Sequence, residues 1–360
     1  MLAHGAEVIL YHNWLTPVFG GETGGFGLVE SDGRPTERLK VVKELSSEVQ
    51  KVWPHIKDAG LKPEYAIAYL YDSDTQAYQE LGPPRPVSGQ WEAVRGDLGI
   101  GYNLVSLEGI YRFLWNEFEP VDFIFKRHLD KSPRELGQYR LIILPNPYLL
   151  AEQWIDTLIN YVREGGYLII ESRFGKKDDM GHLVVPPPVK KELGLEYIHT
   201  ITIDTGHEPA IKGVGKACGF MDLVRVGKRG KVLLECDNGF PAFIESKMGR
   251  GRILYCTFSL GLSAMNPENQ GLLRYIKSYI RNHISSQQAY ETDSPELEVI
   301  FRGDSLFYLL NHGTGRATVN LIQKGASGAE EILSGKRMAV NRERVTVHVP
   351  PGGVRVVVMS

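Results

Sequence analysis

Trp14 and Glu22 lie in one loop, Trp14 to Gly27, with glycines at 20, 21, 24, 25 and 27. Sugar recognition uses an aromatic face against C–H surfaces and a carboxylate that accepts hydrogen bonds from hydroxyls. An aromatic ring and a carboxylate in one loop are residue types suited to that chemistry; the equal reading on residues alone is a core Trp and a solvated loop Glu. Asn116-Glu117 has the look of a catalytic Asn-Glu pair. It falls in a helical pattern in which Ile110, Phe113, Leu114 and Phe118 face a core, so an exposed helix residue is the better account. His312 beside Asn311 reads as a hydrogen-bonding group at a strand end, with no second metal ligand spaced to help it. Lys176-Lys177-Asp178-Asp179 mixes charges in a row and reads as a solvated turn without a chemical role.

Nucleotide chemistry is not supported. The first strand of the middle region ends at Tyr71 and is followed by Asp72-Ser73-Asp74, where a phosphate-binding loop needs glycines. Nucleophilic chemistry of the amidotransferase type needs a cysteine on a tight strand-to-helix elbow. The elbow candidate, residues 169–175, has none, and Cys218 and Cys256 lie in apolar, strand-like surroundings where a thiol is inert. Cys236 completes an odd set of 3 cysteines without CxxC spacing, which argues against a disulfide framework and for a reducing, cytoplasmic setting.

The elements that position these residues follow from periodicity. Ala6–Tyr11 reads as one buried strand, and Leu39, Val42, Leu45, Val49 and Val52 recur at helical steps from about Thr36 until Pro54, which is expected to stop the helix. A lone βα unit cannot bury its own strand, so its neighbours lie outside this chain. From Pro63 the pattern alternates. Strands are expected at 65–71, 121–125, 141–144 and 167–170, and helices at 103–119 and 150–164. Such alternation predicts a mostly parallel, doubly wound sheet. After a polar linker at 285–295, short strands at 297–301, 306–311, 317–322, 345–349 and 354–359 predict a small antiparallel β-sandwich.

Composition narrows the class further. With 360 residues, 42% of them apolar and 23% charged, the chain has room for two or three folded domains. Its 41 basic and 43 acidic residues are interspersed, giving a net charge of −2 and no footprint for nucleic acid or an anionic membrane. No apolar run approaches the ~20 residues that span a bilayer.

The stretch His4-Gly-Ala-Glu-Val-Ile-Leu-Tyr-His-Asn-Trp14, followed by Glu22, Gly27-Leu28, Asp32-Gly33 and Thr36, resembles the last βα unit of the catalytic (β/α)8 barrel in family 42 β-galactosidases. Leu141-Ile-Ile-Leu-Pro-Asn-Pro147, Tyr161-Val-Arg-Glu-Gly-Gly-Tyr-Leu-Ile-Ile-Glu-Ser-Arg-Phe-Gly175 and Gly249-Arg-Gly-Arg-Ile-Leu-Tyr255 resemble the amidotransferase-like trimerisation domain that follows it. Phe307–His312 and the closing stretch from Val349 to Val358 resemble the family's C-terminal β domain. The sequence departs from the family at His12-Asn13, in place of a Phe-Arg pair, and at Gly25, where many members carry a sugar-binding His.

The resemblance implies a barrel end at 1–61, an amidotransferase-like domain at 62–286 and a β-sandwich at 287–360. It places Trp14 and Glu22 at the barrel mouth as substrate-binding residues, neither of them catalytic. The nucleophile and the acid/base of a retaining glycosidase come from earlier barrel strands, upstream of Met1, so the chain alone is expected not to hydrolyse sugar. A homotrimer, a separately encoded barrel segment and a β-galactoside are the implied partners. No metal or organic cofactor is called for. The alternatives are a non-catalytic oligomerisation or sugar-binding protein, and an esterase or amidase that would need a nucleophile and base near 169–175.

Overall fold

A computed structural model of the chain describes residues 1–21, 23, 26–59, 67–80, 102–115, 121–126, 133–204, 206–284, 289–303 and 305–360. It divides into two units: Tyr65–Ser286 forms one, and Met1–Glu64 together with Gln287–Ser360 forms the other.

The central unit is built on short, almost wholly apolar strands. Ile67–Tyr71 (β1), Val121–Phe125 (β2), Leu141–Leu144 (β3) and Tyr167–Ile170 (β4) are parallel and stand in the order β2-β1-β3-β4. After them come Glu196–Thr202 (β5), Ala210–Ile211 (β6), Gly215–Lys216 (β7), Phe220–Arg225 (β8), Gly230–Glu235 (β9), Pro241–Met248 (β10) and Gly251–Cys256 (β11). β11 joins β4 in parallel, and β10 and β9 extend the same sheet antiparallel to seven strands. β5 and β8 form a separate antiparallel pair, as do β6 and β7.

Alternate residues of each parallel strand enter opposite cores, which is why these strands read as continuous apolar runs. Ala68, Leu70, Ile142, Leu144, Leu168 and Ile170 face one cluster; Ile67, Tyr69, Leu141, Ile143 and Ile169 face the other. Seven helices of the described residues are needed in the account. They are α1 (Glu37–Ala59), α2 (Ser73–Glu80), α3 (Tyr102–Leu114), α4 (Glu152–Arg163), α5 (Pro188–Lys191) and α6 (Leu260–Met265), with α7 (Gln270–His283) closing the central unit. α4 buries Trp154, Ile155, Leu158, Ile159 and Val162 against the first cluster. α3, through Ile110 and Leu114, and α7, through Leu272, Ile276 and Ile280, cover the second.

The other unit carries Tyr290–Thr292 (β12), Leu297–Arg302 (β13), Leu306–Asn311 (β14), Ala317–Ile322 (β15), Ala329–Glu331 (β16), Lys336–Met338 (β17), Arg344–Val349 (β18) and Val354–Met359 (β19). They form two antiparallel sheets, β12-β15-β18 and β13-β14-β19-β16-β17, with Leu297, Val299, Phe307 and Leu309 sharing a core with Val319, Leu321, Val345 and Val347. β12 lies in the stretch expected to be a linker: its pairing with β15 is a tertiary fact that a polar sequence does not advertise.

Two expectations fail in the N-terminal segment. Ala6–Tyr11 enters no ladder among the described residues, and Val8 and Leu10 are exposed. A strand is held by its neighbours, and none pairs with this one among the described residues. Pro54 does not end α1, which continues to Ala59. Val52 and Ile56, on either side of the proline, are buried with Ile300, Leu306, Tyr308 and Val356 on the outer face of the five-stranded sheet. Burying two aliphatic side chains is worth about 1.5–3 kcal/mol each, enough to offset the ~3 kcal/mol that an interior proline costs.

Candidate functional site

The loop that bears Trp14 is organised by its backbone. Leu28 N donates to Asn13 O at 2.9 Å, Val29 N to Trp14 O at 2.9 Å, and Thr16 N to Val29 O at 3.0 Å. A Cβ on Gly27 would lie 2.3 Å from Thr16 N, so only glycine permits this approach. Thr36 Oγ1 and N both donate to Leu28 O, and Arg38 Nε donates to Gly27 O at 3.1 Å, fixing the loop to the start of α1. On this scaffold Trp14 is 65% exposed. Glu22 and Gly25 lie outside the described residues, as do Asn116 and Glu117.

The N-terminal end of this segment is pinned to the antiparallel sheets. Arg302, almost fully buried, donates from Nη2 to Leu2 O and to Ala3 O. Glu298 is bracketed by two imidazoles, His4 Nε2 at 3.0 Å and His312 Nε2 at 2.9 Å. Burial pushes the Glu298 carboxyl up, but the two histidines outweigh it and hold it below its ordinary range. His312 thus works as a strand-end hydrogen-bonding group.

Polar residues of the central unit converge at the carboxyl ends of the parallel strands, the edge where ligands of such sheets bind. Glu171 follows β4 and is fully buried. Its Oε1 accepts from Ser106 Oγ at 2.7 Å and Gly261 N at 2.7 Å, and its Oε2 from Ser106 Oγ at 2.6 Å and Asn146 N at 2.9 Å. Burial pushes this carboxyl up to about 7, against the opposing pull of these hydrogen bonds and of Arg173. Arg173 stacks its guanidinium 3.6 Å from the Phe220 ring centroid and 4.6 Å from that of Tyr148, and donates to Asn146 Oδ1. Arg173 N donates to Asp222 Oδ2 at 2.6 Å, and Asp222 also accepts from Thr200 Oγ1 and Tyr255 OH. At the neighbouring strand ends, Lys126 Nζ bridges Asp72 at 3.1 Å and Asp74 at 2.9 Å, while Asp72 caps the start of α2 through Thr75 and Asp74.

Chemically this cluster is a strut. Ser106 and Glu171 form a hydroxyl–carboxylate pair within hydrogen-bond reach, but both are sealed from solvent, so no substrate reaches the oxygen. Ser172 Oγ is engaged by Phe220 O at 3.1 Å. Sequence reading missed Ser106, Asn146 and Asp222, and gave Glu171 no role; the only cue was an Glu-Ser-Arg run placed directly after an apolar strand.

The three cysteines are buried and unpaired in disulfides. Burial pushes the Cys218 thiol up to about 11 and Cys236 to about 12, and raises Cys256 well above its ordinary value. None is a thiolate at neutral pH. Native protein is therefore expected to take up no maleimide at pH 7 over the time in which urea-unfolded protein takes up three equivalents; rapid native labelling, read by intact mass, would refute the inert assignment. Among the described residues no cluster of His, Cys, Asp or Glu is arranged to hold a metal ion. No helix among them is long and apolar enough to cross a membrane.

Comparison with known proteins points one way. The family described as the beta-galactosidase trimerisation domain matches residues 67–282. Beta-galactosidase GalA of Bacillus licheniformis is 26% identical over 235 residues, covering 63% of this chain and 32% of the relative. Beta-galactosidase BgaH of Haloferax lucentense is 24% identical over 267 residues, covering 71% of this chain and 36% of the relative. Among solved structures, a catalytic mutant of Gan42B, a GH42 beta-galactosidase from G. stearothermophilus, superposes with a TM-score of 0.77 at 18% identity, over 99% of this chain and 49% of that one. The beta-galactosidase from Bacillus circulans sp. alkalophilus gives 0.77 at 19% identity, over 99% and 50%. The chain spans about half the length of these structures and about a third of the curated relatives.

Proposed function

The chain belongs to the beta-galactosidase trimerisation domain family, and we propose that it is the accessory, C-terminal portion of a retaining β-galactosidase, without activity on sugar by itself. The observation that carries this reading is the coverage: nearly all of this chain, 99%, aligns with only 49% of a β-galactosidase structure. Retaining hydrolysis needs two carboxyl groups about 5–5.5 Å apart across the glycosidic bond. The barrel that would present them is a closed ring of eight strands; the sheets among the described residues have seven, five, three, two and two strands.

In this reading the segment 1–61 is the last βα unit of the (β/α)8 barrel, 62–286 is an amidotransferase-like domain that holds three copies together, and 287–360 is a β-sandwich. Trp14 and Glu22 line the sugar subsite at the barrel mouth, supported by the exposure of Trp14. The exposed Val8 and Leu10 suit a strand whose neighbours a barrel segment supplies. Terminal β-galactosides are the substrate of the completed protein, cytoplasm its setting, and no metal or organic cofactor takes part.

The purified chain is expected to release no chromophore from a nitrophenyl β-galactoside above the buffer blank. Co-expressed with the barrel segment of a family 42 enzyme, it should yield turnover that Trp14→Ala lowers about tenfold or more through KM, the loss of one stacking face. Turnover by the chain alone would overturn the accessory role. A well-formed complex that stays inert would favour a non-catalytic oligomerisation or sugar-binding protein instead.

A further inference from the structure

The mixed-charge run Lys176-Lys177-Asp178-Asp179 touches the network around Glu171 only at its edge, through Lys176 and Thr200, and it opens a short excursion of the chain. Residues 176–184 fold into a small hairpin. Val184 N donates to Lys176 O at 3.1 Å, Asp178 N to His182 O at 2.9 Å, and Gly181 N to Asp178 O at 3.0 Å. Asp178 Oδ1 ties the turn from inside, accepting from Met180 N at 3.0 Å and His182 N at 2.8 Å. The base is clamped to the central unit: Lys177 N donates to Tyr148 O at 3.0 Å, Leu150 N to Lys177 O at 2.9 Å, and Lys176 Nζ to Thr200 Oγ1 at 2.9 Å.

Three apolar side chains along this stretch are exposed, Met180 in the turn, Leu183 on the returning arm and Val185 just past it. Met180 is 76% exposed, Leu183 64% and Val185 85%. The turn is made by Asp178, Gly181 and backbone hydrogen bonds, so it asks nothing of these three side chains. None of them belongs to a hydrophobic cluster of the described residues. Lone apolar residues on a surface are ordinary, but three within the six residues 180–185 form a patch with a use. An ordered stretch also loses little conformational freedom when it docks, which favours tight association.

We infer that the hairpin is a docking knob for a second copy of this chain. The inference rests on the proposed three-copy assembly, and it adds the surface. The hairpin falls inside the 67–282 span matched by the trimerisation family. A threefold ring is built from head-to-tail contacts, in which one patch of each copy meets a different patch of the next. A projecting apolar knob fits that geometry, with Leu183 and Val185 as the anchors and the Lys176–Asp179 charges as its polar rim.

The test uses the full 360-residue chain. Mass in solution is measured by light scattering over a dilution series for the unmodified chain, for Leu183→Asp and for Val185→Asp, with circular dichroism and melting as the check on folding. Each substitution replaces an exposed side chain and should leave the melting curve in place. The unmodified chain is expected at three times the monomer mass. Each variant should shift its dissociation midpoint by about 30-fold or more, the effect of a lost interface anchor. A trimer that both folded variants retain would overturn the knob and leave the assembly standing. An unmodified chain that is monomeric throughout the series would overturn the assembly and the knob together. Should a variant fold poorly, Val185→Cys gives a second readout: protected from maleimide in the concentrated protein and labelled on dilution if the knob is buried, and labelled equally fast in both if it is not.

Discussion

Glu171→Ala costs the central unit roughly 3–6 kcal/mol, because it strands three buried donors at once. Ser106 Oγ, Asn146 N and Gly261 N all end on this carboxylate. They arrive from α3, the turn after β3 and the start of α6, so removing the acceptor unties three elements from the end of β4. Glu171→Gln keeps the shape but turns one acceptor into a donor facing a backbone N–H, and should cost less, about 1–3 kcal/mol. Urea unfolding of the two variants at pH 6 measures the order. An alanine variant as stable as the glutamine one would mean that water replaces the carboxylate.

The same residue makes stability depend on pH in a definite direction. Its carboxyl rises from an ordinary 4.5 to about 7 in the folded protein, chiefly through burial. The folded state therefore holds the proton more tightly than the unfolded chain. The stabilising contribution is full below about 4.5 and is lost as pH rises through 7, up to about 3 kcal/mol in all. Ser106 makes both states tolerable, since its hydroxyl donates to the carboxylate and accepts from the acid. Unfolding free energy should fall between pH 5 and pH 8 by more in the unmodified chain than in Glu171→Gln. Parallel profiles would show that the three donors keep Glu171 ionised throughout, so that hydrogen bonding outweighs burial.

How much of this was legible depended on how local the cause was. β3, β4, β14, β15 and β19 were readable to the residue because each is an apolar or alternating run between turn formers. β16 and β17 were not expected at all, since Ala329–Glu331 and Lys336–Met338 have little strand character and are strands only because β19 offers an edge. Ala6–Tyr11 failed in the opposite sense, with strand-like residues and no edge among the described residues to receive them. The continuation of α1 through Pro54 depended on a sheet far later in the chain, as the cluster that Val52 and Ile56 share with Ile300 and Val356 illustrates. For the sites, Trp14 was named by resemblance to a barrel end, with its residue type in agreement, while the backbone ladder between 13–16 and 28–29 that holds its loop was not legible. Glu171 was invisible as a hub because its partners lie 65, 25 and 90 positions away.

Those distant partners are held in place by a contact between helices that tolerates no side chain, and breaking it should have the larger effect. α3 and α6 cross at glycine. A Cβ on Gly261 would lie 1.9 Å from Ser106 O, and one on Gly109 would lie 1.9 Å from Gly261 O. In both cases the obstacle is backbone, so no rotamer change relieves it, and the helices must part by more than an ångström. Overpacking of a core usually costs 1–3 kcal/mol and more where nothing can yield; here at least about 4 kcal/mol is expected. Gly261→Ala and Gly109→Ala should lower the melting temperature of the central unit by well over 10 °C, or abolish its cooperative unfolding. Gly137→Ala is the control, because a Cβ there meets nothing within 4 Å. The two crossing variants also differ in a way that sterics alone does not require. Gly261 N donates directly to Glu171 whereas Gly109 does not, so Gly261→Ala should also alter the pH profile of stability. Equal melting of all three alanine variants would mean that the helices already stand further apart than their backbone contact implies.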